Sequence, residues 1–294
     1  MVNVLISTYN GEKYIKDQIN SILNQTYKDI CIWVRDDGST DNTVQVLREF
    51  EKNGKIHLIV GQNVGYGSSF LQLLQIAKQG KYWAFCDQDD IWLETKIEKA
   101  VKWLGSFSDN KPRMFHSAYY NTNENLKIEQ KVEKPSYNYY FTRAITECIH
   151  MGFSSVLNES LRELVLKGDP KRLITHDWWT ELVVMKFGEV YYDDEPLSLH
   201  RRLDSSVSAN TLSAKIAWFK RAWRGNAEIS SITKEFDRVF GKIINDQDCK
   251  IVRWFCYEKY SFIKSIKKAF YWKRWRPTWS SELTLRFMML FGKI

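Results

Sequence analysis

The sequence predicts an α/β fold: a mostly parallel central sheet flanked by helices, with a basic, aromatic-rich helical extension behind it. Three observations carry this. Short apolar runs alternate with loops and amphipathic stretches through the first hundred residues, polar and acidic residues recur where those runs end, and cationic charge gathers near the C-terminus. The chain's 294 residues are 44% hydrophobic and 27% charged, with only 14 Gly and 5 Pro. That excludes disordered, collagen-like and low-complexity proteins, and a chain this long buries a core without staples.

Val2-Asn3-Val4-Leu5-Ile6-Ser7 reads as a buried strand, ended by Thr8-Tyr9-Asn10-Gly11. Ile15, Ile19, Ile22 and Leu23 then recur at helical spacing. Ile30 to Val34 is a second strand, running into Arg35-Asp36-Asp37-Gly38-Ser39-Thr40-Asp41. The next helix carries Val44, Val46, Leu47 and Phe50, with Thr40 or Asp41 placed to cap it. His57 to Val60 is a third strand, followed by Asn63-Val64-Gly65-Tyr66-Gly67 and a helix bearing Phe70, Leu71, Leu74 and Ala77. Tyr82 to Cys86 is a fourth strand, ending at Asp87-Gln88-Asp89-Asp90. Strand, loop and helix alternating in this way make a parallel sheet with helices on both faces.

Ligands of such sheets bind beyond the carboxyl ends of the strands, where this chain places Tyr9, Asp36, Asp37, Asn63 and the 87–90 cluster. A dinucleotide site would need GxGxxG after the first strand, but Gly11 stands alone there. The pair Gly65 and Gly67 reads as a turn rather than a phosphate cradle. An acidic rim holds an anionic ligand only through a divalent cation, and carboxylate oxygens suit Mg2+ or Mn2+. Taken singly, the Asp36–Asp41 and Asp87–Asp90 segments are also what a turn with a helix cap looks like.

Together, Ile6-Ser7-Thr8-Tyr9-Asn10-Gly11-Glu12, Asp36-Asp37-Gly38-Ser39-Thr40-Asp41 and Asp87-Gln88-Asp89-Asp90 resemble the family 2 glycosyltransferases of the GT-A fold, in the family's order and spacing. The resemblance covers residues 2–104 strongly and continues to about 209. It implies that Asp37 recognises the pyrimidine base of a nucleotide sugar, that Tyr9 packs beside that base, that Asp89 binds the metal, and that Asp87 and Gln88 belong to the donor site. Thr175-His176-Asp177-Trp178-Trp179 stands where inverting members carry an acidic general base, which implies Asp177. Its His-Asp-x-Trp pattern resembles bacterial rhamnosyltransferases of polysaccharide biosynthesis. His176 reads as an orienting residue, and Asp177 has an alternative reading as a helix cap with Trp178 and Trp179 in the core. Met114 to Ala118 resembles a further family strand, and residues 121–137 read as a polar surface excursion. In the closing segment Glu195 to Ser208, Leu203 replaces a His that many members place near the metal and diphosphate, and His200 lies three positions early. Arg201 is then the residue to face the diphosphate, its fork suited to phosphate oxygens.

Residues 215–294 hold 18 Lys and Arg against 7 Asp and Glu, and six of the 12 Trp; the rest of the chain is mildly acidic. A boundary near 210 is expected, giving a catalytic domain over 1–210 (donor half 1–104, acceptor half 105–210) and an extension over 211–294. In the extension, Ile216, Phe219 and Trp223 oppose Lys220, Arg221 and Arg224. Phe262, Ile263, Ile266 and Phe270 likewise oppose Lys264, Lys267 and Lys268. Such helices suit an anionic membrane surface, or pack on the catalytic domain or on a twin subunit in a homodimer. No nucleic-acid recognition module accompanies the charge. The five cysteines show no CxxC spacing, no leader or spanning segment stands out, and the expected location is cytoplasmic, peripheral at the inner face of the cell membrane.

The sequence therefore points to an inverting, metal-dependent glycosyltransferase. It would move a sugar, with L-rhamnose from dTDP-rhamnose first, from a nucleoside diphosphate donor to a saccharide or lipid-linked saccharide acceptor. UDP-galactose or UDP-glucose is the alternative donor. A catalytically silent sugar-nucleotide-binding subunit of an assembly complex is the reading from another class.

Overall fold

The protein is described here by a computed structural model covering residues 1–134, 139–202, 223, 228–256 and 260–294. Leu203, the loop after it and the helix expected over Lys215–Arg224, Trp223 apart, lie outside the described residues. The chain divides into two compact units. One comprises Met1–Pro135, His150–Leu166 and Thr175–Leu203; the other comprises Ser136–Ile149, Lys167–Ile174 and Asp204–Ile294.

In the first unit, β1 (Val2–Thr8) lies between β2 (Ile30–Asp36) and β4 (Tyr82–Cys86), with β3 (His57–Val60) outside β2, all four parallel. Val2, Val4, Leu5 and Ile6 are fully buried because helices cover both faces, which is why the strand reads as an apolar run broken only by the buried Asn3. Helices α1 (Ile15–Leu23), α2 (Thr43–Lys52) and α3 (Tyr66–Ile76) bury Ile15, Ile19, Ile22, Leu47, Phe70 and Leu74. The second half of the sheet is mixed. β8 (Ser155–Asn158) pairs antiparallel with both β4 and β6 (Arg113–Thr122). β9 (Glu189–Arg201) runs parallel to β6 and carries the short β5 (Ile91–Trp92) on its other side. The sheet order is β3-β2-β1-β4-β8-β6-β9-β5.

The polar excursion expected over 121–137 contains a strand, β7 (Ile128–Val132), paired antiparallel with β6. Its residues are mostly exposed, so no apolar alternation announced it; only the ladder with β6 defines it. Helices α4 (Lys96–Gly105), α6 (Glu159–Val165) and α7 (His176–Phe187) complete this unit.

The second unit gathers α5 (Phe141–Ala144), α8 (Glu228–Phe240), α9 (Asp246–Phe255), α10 (Phe262–Ala269) and α11 (Trp279–Leu290). The Phe141 and Phe236 rings lie 5.4 Å apart, and the Thr146 hydroxyl donates to the Trp275 carbonyl at 3.1 Å. The Asp169 amide donates to Glu235 Oε1 at 2.7 Å. The extension thus builds its core partly from two segments of the 105–210 stretch, which a cut near residue 210 would separate from it. No helix among the described residues is long and apolar enough to cross a membrane.

Candidate active site

At the carboxyl ends of β1 and β2 two loops are fastened side by side. The Asn10 amide donates to Ser39 Oγ at 2.9 Å, Asn10 Oδ1 accepts from the Thr40 amide at 2.8 Å, and Glu12 Oε2 accepts from the Asn42 amide at 2.8 Å. Asp36 turns back on its own loop, accepting from the Gly38 and Ser39 amides at 3.1 and 2.9 Å. Gly38 sits at φ +84°, a left-handed conformation that suits Gly, and an added Cβ would lie 3.1 Å from the Asn63 amide. Tyr9, 46% exposed, projects from this rim.

Asp37 is buried beneath it. Its carboxylate pairs with Arg35 and accepts from the Val64 and Gly65 amides, each at 2.9 Å. The Asn63–Gly65 turn is thereby docked onto the residue expected to read a base. Gly65, at φ +83°, then caps α3, so this glycine pair starts a helix, as a turn should.

At the end of β4 the acidic cluster divides its roles. Asp90 is fully buried: its Oδ1 accepts from His200 Nδ1 at 2.9 Å and from the Arg201 amide at 3.2 Å, while its Oδ2 has no partner. Asp87 and Asp89 are partly exposed. Burial, reinforced by the neighbouring Asp90 charge, raises the Asp87 pKa well above the usual carboxylate range and pushes Asp89 up to about 6. Burial opposes the charged form of His200, but the Asp90 carboxylate outweighs it and raises that pKa. A histidine therefore does face the cluster, from position 200 inside β9 rather than from position 203.

Two expected donor contacts are placed differently. Gln88 Oε1 accepts from the Thr8 hydroxyl at 2.6 Å and the Tyr9 amide at 2.9 Å, so its amide is committed to the β1 loop. Arg201 is 5% exposed; its Nε donates to the Asp89 carbonyl at 2.9 Å, another nitrogen donates to the Glu124 carbonyl, and the guanidinium lies 4.6 Å from the Tyr14 ring centre. Two of its nitrogens thus serve backbone oxygens. Beneath the cluster, Lys96 is wholly buried and donates to the Phe153 carbonyl at 2.8 Å and Ser198 Oγ at 2.7 Å, with burial lowering its pKa to about 7. Sequence reading missed Lys96 because one Lys at a helix start has no distinguishing pattern. Asp90 and His200 were legible only as members of the two motifs that hold them.

Asp177 lies in the first turn of α7, two residues past its cap, Thr175. Its Oδ1 accepts from the Trp178 amide at 2.8 Å, and burial pushes its pKa up to about 6. Asp177 is also among the charges that raise Asp87, so the two carboxylates lie close enough to feel each other. Trp179 is fully buried and donates to the Val165 carbonyl at 2.8 Å. His176 is buried between Phe70, stacked at 4.0 Å, and Phe85 at 4.6 Å; burial lowers its pKa to about 3, so it is neutral.

Among the described residues no three His, Cys, Asp or Glu side chains form a ready-made metal cage. What the rim does offer is hard oxygen: Asp89 together with the unpartnered, buried Oδ2 of Asp90. That fits a cation that takes one or two carboxylates and completes its shell with phosphates and water.

Comparison with known proteins agrees with this geometry. Residues 3–163 match the profile described as "Glycosyl transferase family 2". A dTDP-rhamnosyl transferase, RfbG of Shigella flexneri, is 29% identical over 224 residues, covering 74% of this chain and 77% of that protein. Among solved structures, S. aureus TarS superposes with a TM-score of 0.58 at 18% identity over 92% of this chain, which spans only 46% of TarS. Its 1–349 fragment has been solved with UDP-GlcNAc. The mannosyltransferase PcManGT of Pyrobaculum calidifontis, solved with GDP-Man and Mn2+, gives 0.53 at 16% identity over 99% of this chain and 86% of that one. These likenesses establish the fold as GT-A. With more than half of its residues matched, the chain belongs to glycosyltransferase family 2.

Proposed function

We propose that this protein transfers a hexosyl group, L-rhamnose from dTDP-rhamnose, with inversion, onto a hydroxyl of a saccharide or lipid-linked saccharide during cell-surface polysaccharide synthesis. The observation that carries it is Asp177: a carboxylate at the start of α7, on the rim of the Asp87–Asp90 cluster, with its pKa pushed up to about 6. A base with that pKa is ionised at neutral pH yet basic enough to take a proton as the glycosidic bond forms. The rhamnosyl choice rests on the likeness to RfbG.

Tyr9 stacks on the pyrimidine and Asp37, fixed by Arg35 and the Val64–Gly65 amides, accepts its imide N–H. Gln88 sets Tyr9, and Arg201 holds the Asp89 backbone, so both support donor binding indirectly. Asp87 meets the ribose and sugar. Asp89 and Asp90 would hold Mg2+ or Mn2+, which when bound offsets the charge of the leaving diphosphate. Asp177 takes the acceptor proton, while the buried Trp179 and neutral His176 keep its helix start fixed and dry. The transition state at the sugar is oxocarbenium-like.

A UDP-hexose is the second reading, favoured by the UDP-GlcNAc complex of a protein sharing the fold. A thermal-shift screen of dTDP-rhamnose, UDP-galactose, UDP-glucose and UDP-GlcNAc with Mn2+ or Mg2+ separates them, because a ligand bound only to the folded state raises its stability by RT ln(1 + [L]/Kd). The largest shift with dTDP-rhamnose is expected; a larger shift with a UDP-sugar overturns the rhamnosyl reading. A shift with one of them but neither donor hydrolysis nor transfer supports the catalytically silent sugar-nucleotide-binding subunit.

A further inference from the structure

Helices α10 and α11 of the second unit bury charge and leave large apolar side chains in solvent. On α10 the buried positions are Ser265, Lys268 and Ala269, and on α11 they are Glu282 together with Leu285, Met288 and Met289. Lys268 donates to the Ile294 carbonyl, and Glu282 Oε2 accepts from the Trp275 and Arg276 amides at 2.9 and 2.6 Å. Arg286 ties the pair together, donating to Glu282 Oε1 at 2.6 Å, to the Ala269 carbonyl at 2.6 Å and to the Lys273 carbonyl at 3.0 Å. Polar side chains hold the frame from within.

Beside the buried Leu285, Met288 and Met289, many large apolar side chains are left outside. Phe262, Ile263 and Phe270 are 64%, 66% and 73% exposed, Trp272 and Trp279 are 77% and 69%, and Leu283, Phe287 and Phe291 are each about half exposed or more. At about 100° per residue, Phe262, Ile263, Ile266 and Phe270 fall on one arc of α10, bordered by Lys267 and then Lys264. Trp279, Leu283, Phe287 and Leu290 form the matching arc of α11. Water is a poor solvent for two such stripes, which monomeric soluble proteins seldom display.

Charge selects what covers them. Between Tyr260 and Ile294 there are eight Lys and Arg against one acid, Glu282, and that acid is buried. Lys273 lies 4.9 Å from the exposed Trp272 ring, and Arg274 lies 4.5 Å from the exposed Trp279 ring. A second copy presenting this same surface would bring like charges together across a two-fold interface. A surface that is apolar at depth and anionic at its rim matches both features.

We propose that the exposed faces of α10 and α11 insert into the headgroup–acyl boundary of an anionic lipid bilayer, with Trp272 and Trp279 at the interface and Lys264, Lys267, Lys273 and Arg274 against lipid phosphates. This holds whichever sugar the first unit transfers, so its test is independent of activity. The full-length protein is mixed with phosphatidylcholine vesicles with and without phosphatidylglycerol, and bound protein is measured by sedimentation. Binding is expected to the anionic vesicles, to weaken with salt, and to leave a residue that salt does not remove, because apolar insertion is not screened. Lipids brominated in their acyl chains should quench tryptophan fluorescence, and Trp272→Phe with Trp279→Phe should remove most of that quenching. Ile263→Ser with Phe270→Ser, both outward-facing, should weaken vesicle affinity by at least about tenfold with the melting temperature unchanged. Absence of vesicle binding by the wild-type chain overturns the proposal. So does binding untouched by the double serine variant, or a wild-type dimer that this variant dissociates while vesicles are ignored. The bromolipid measurement on the unaltered chain decides the matter if the serine variant misfolds.

Discussion

Asp177 carries its assigned chemistry in its environment. A pKa raised from 3.8 to about 6 means the folded state holds the proton more tightly than the unfolded one, so the group lowers stability as pH rises through that window. Asp177→Asn should therefore cut transfer by at least about a hundredfold while donor and metal affinity stay nearly intact. The same variant should be more stable at neutral pH by about 1 to 3 kcal/mol, with the gain fading as pH falls from about 6 and gone below pH ~4, where Asp177 is protonated in both states. A variant that melts lower and loses donor binding would mark Asp177 as structural. In the wild type, the turnover rate should fall as pH drops through about 6, because the base is then protonated. Asp89→Ala makes a separate case. Arg201 holds the Asp89 backbone carbonyl, so the loop survives the loss of the carboxylate. Metal-dependent binding of UDP or dTDP, followed by calorimetry, should disappear; unchanged affinity with Mn2+ present refutes the ligand assignment.

The donor rim depends on how its elements end. β1 and β2 finish in register, Thr8 beside Asp36, and β4 stops two residues earlier, at Cys86 beside Ile6, so Tyr9, Asp37 and Asp87 follow the ends of three adjacent strands from separate stretches of chain. Gly38 allows the β2 loop to turn at positive φ against Asn63. Gly38→Ala should destabilise the protein by about 1 to 2 kcal/mol in urea unfolding, the cost of a left-handed non-Gly residue. Donor affinity should weaken with it, because the Val64 and Gly65 amides that fix Asp37 follow directly. Destabilisation without any change in donor affinity would separate this loop from the base site.

For the molecule as a whole, the second unit cannot be trimmed away cleanly. Phe141, Ala144 and Ile145 are buried within it, although they lie between two segments of the first unit. A chain ending at residue 203 should expose them, express less soluble protein and melt lower. A fully soluble chain with an unchanged melting temperature would show that the first unit stands alone. The alternation of apolar runs and turns determined the parallel strands, the helices behind them and the strand ends that carry Tyr9, Asp37, Asp87 and Asp89; Asp177 came only from the resemblance to the family. These are local or nearest-neighbour properties: burial on both faces makes an apolar run, and the strand's end sets what projects. Only the tertiary structure decided that Gln88 and Arg201 turn to the backbone, that His200 and Lys96 close on the carboxylate cluster, and that β7 is a strand. The side-chain pairings depend on partners far away in sequence, from 57 residues for the Lys96–Phe153 bond to 110 for Asp90–His200, while β7 pairs with the nearby β6 but carries no apolar alternation to announce it. No periodicity in the sequence records such a pairing. The outward face of α10 and α11 is of both kinds: its stripe is written in helical spacing, but which side is left in solvent was decided by packing that draws Lys268 inward on α10 and Glu282, with Leu285, Met288 and Met289, inward on α11.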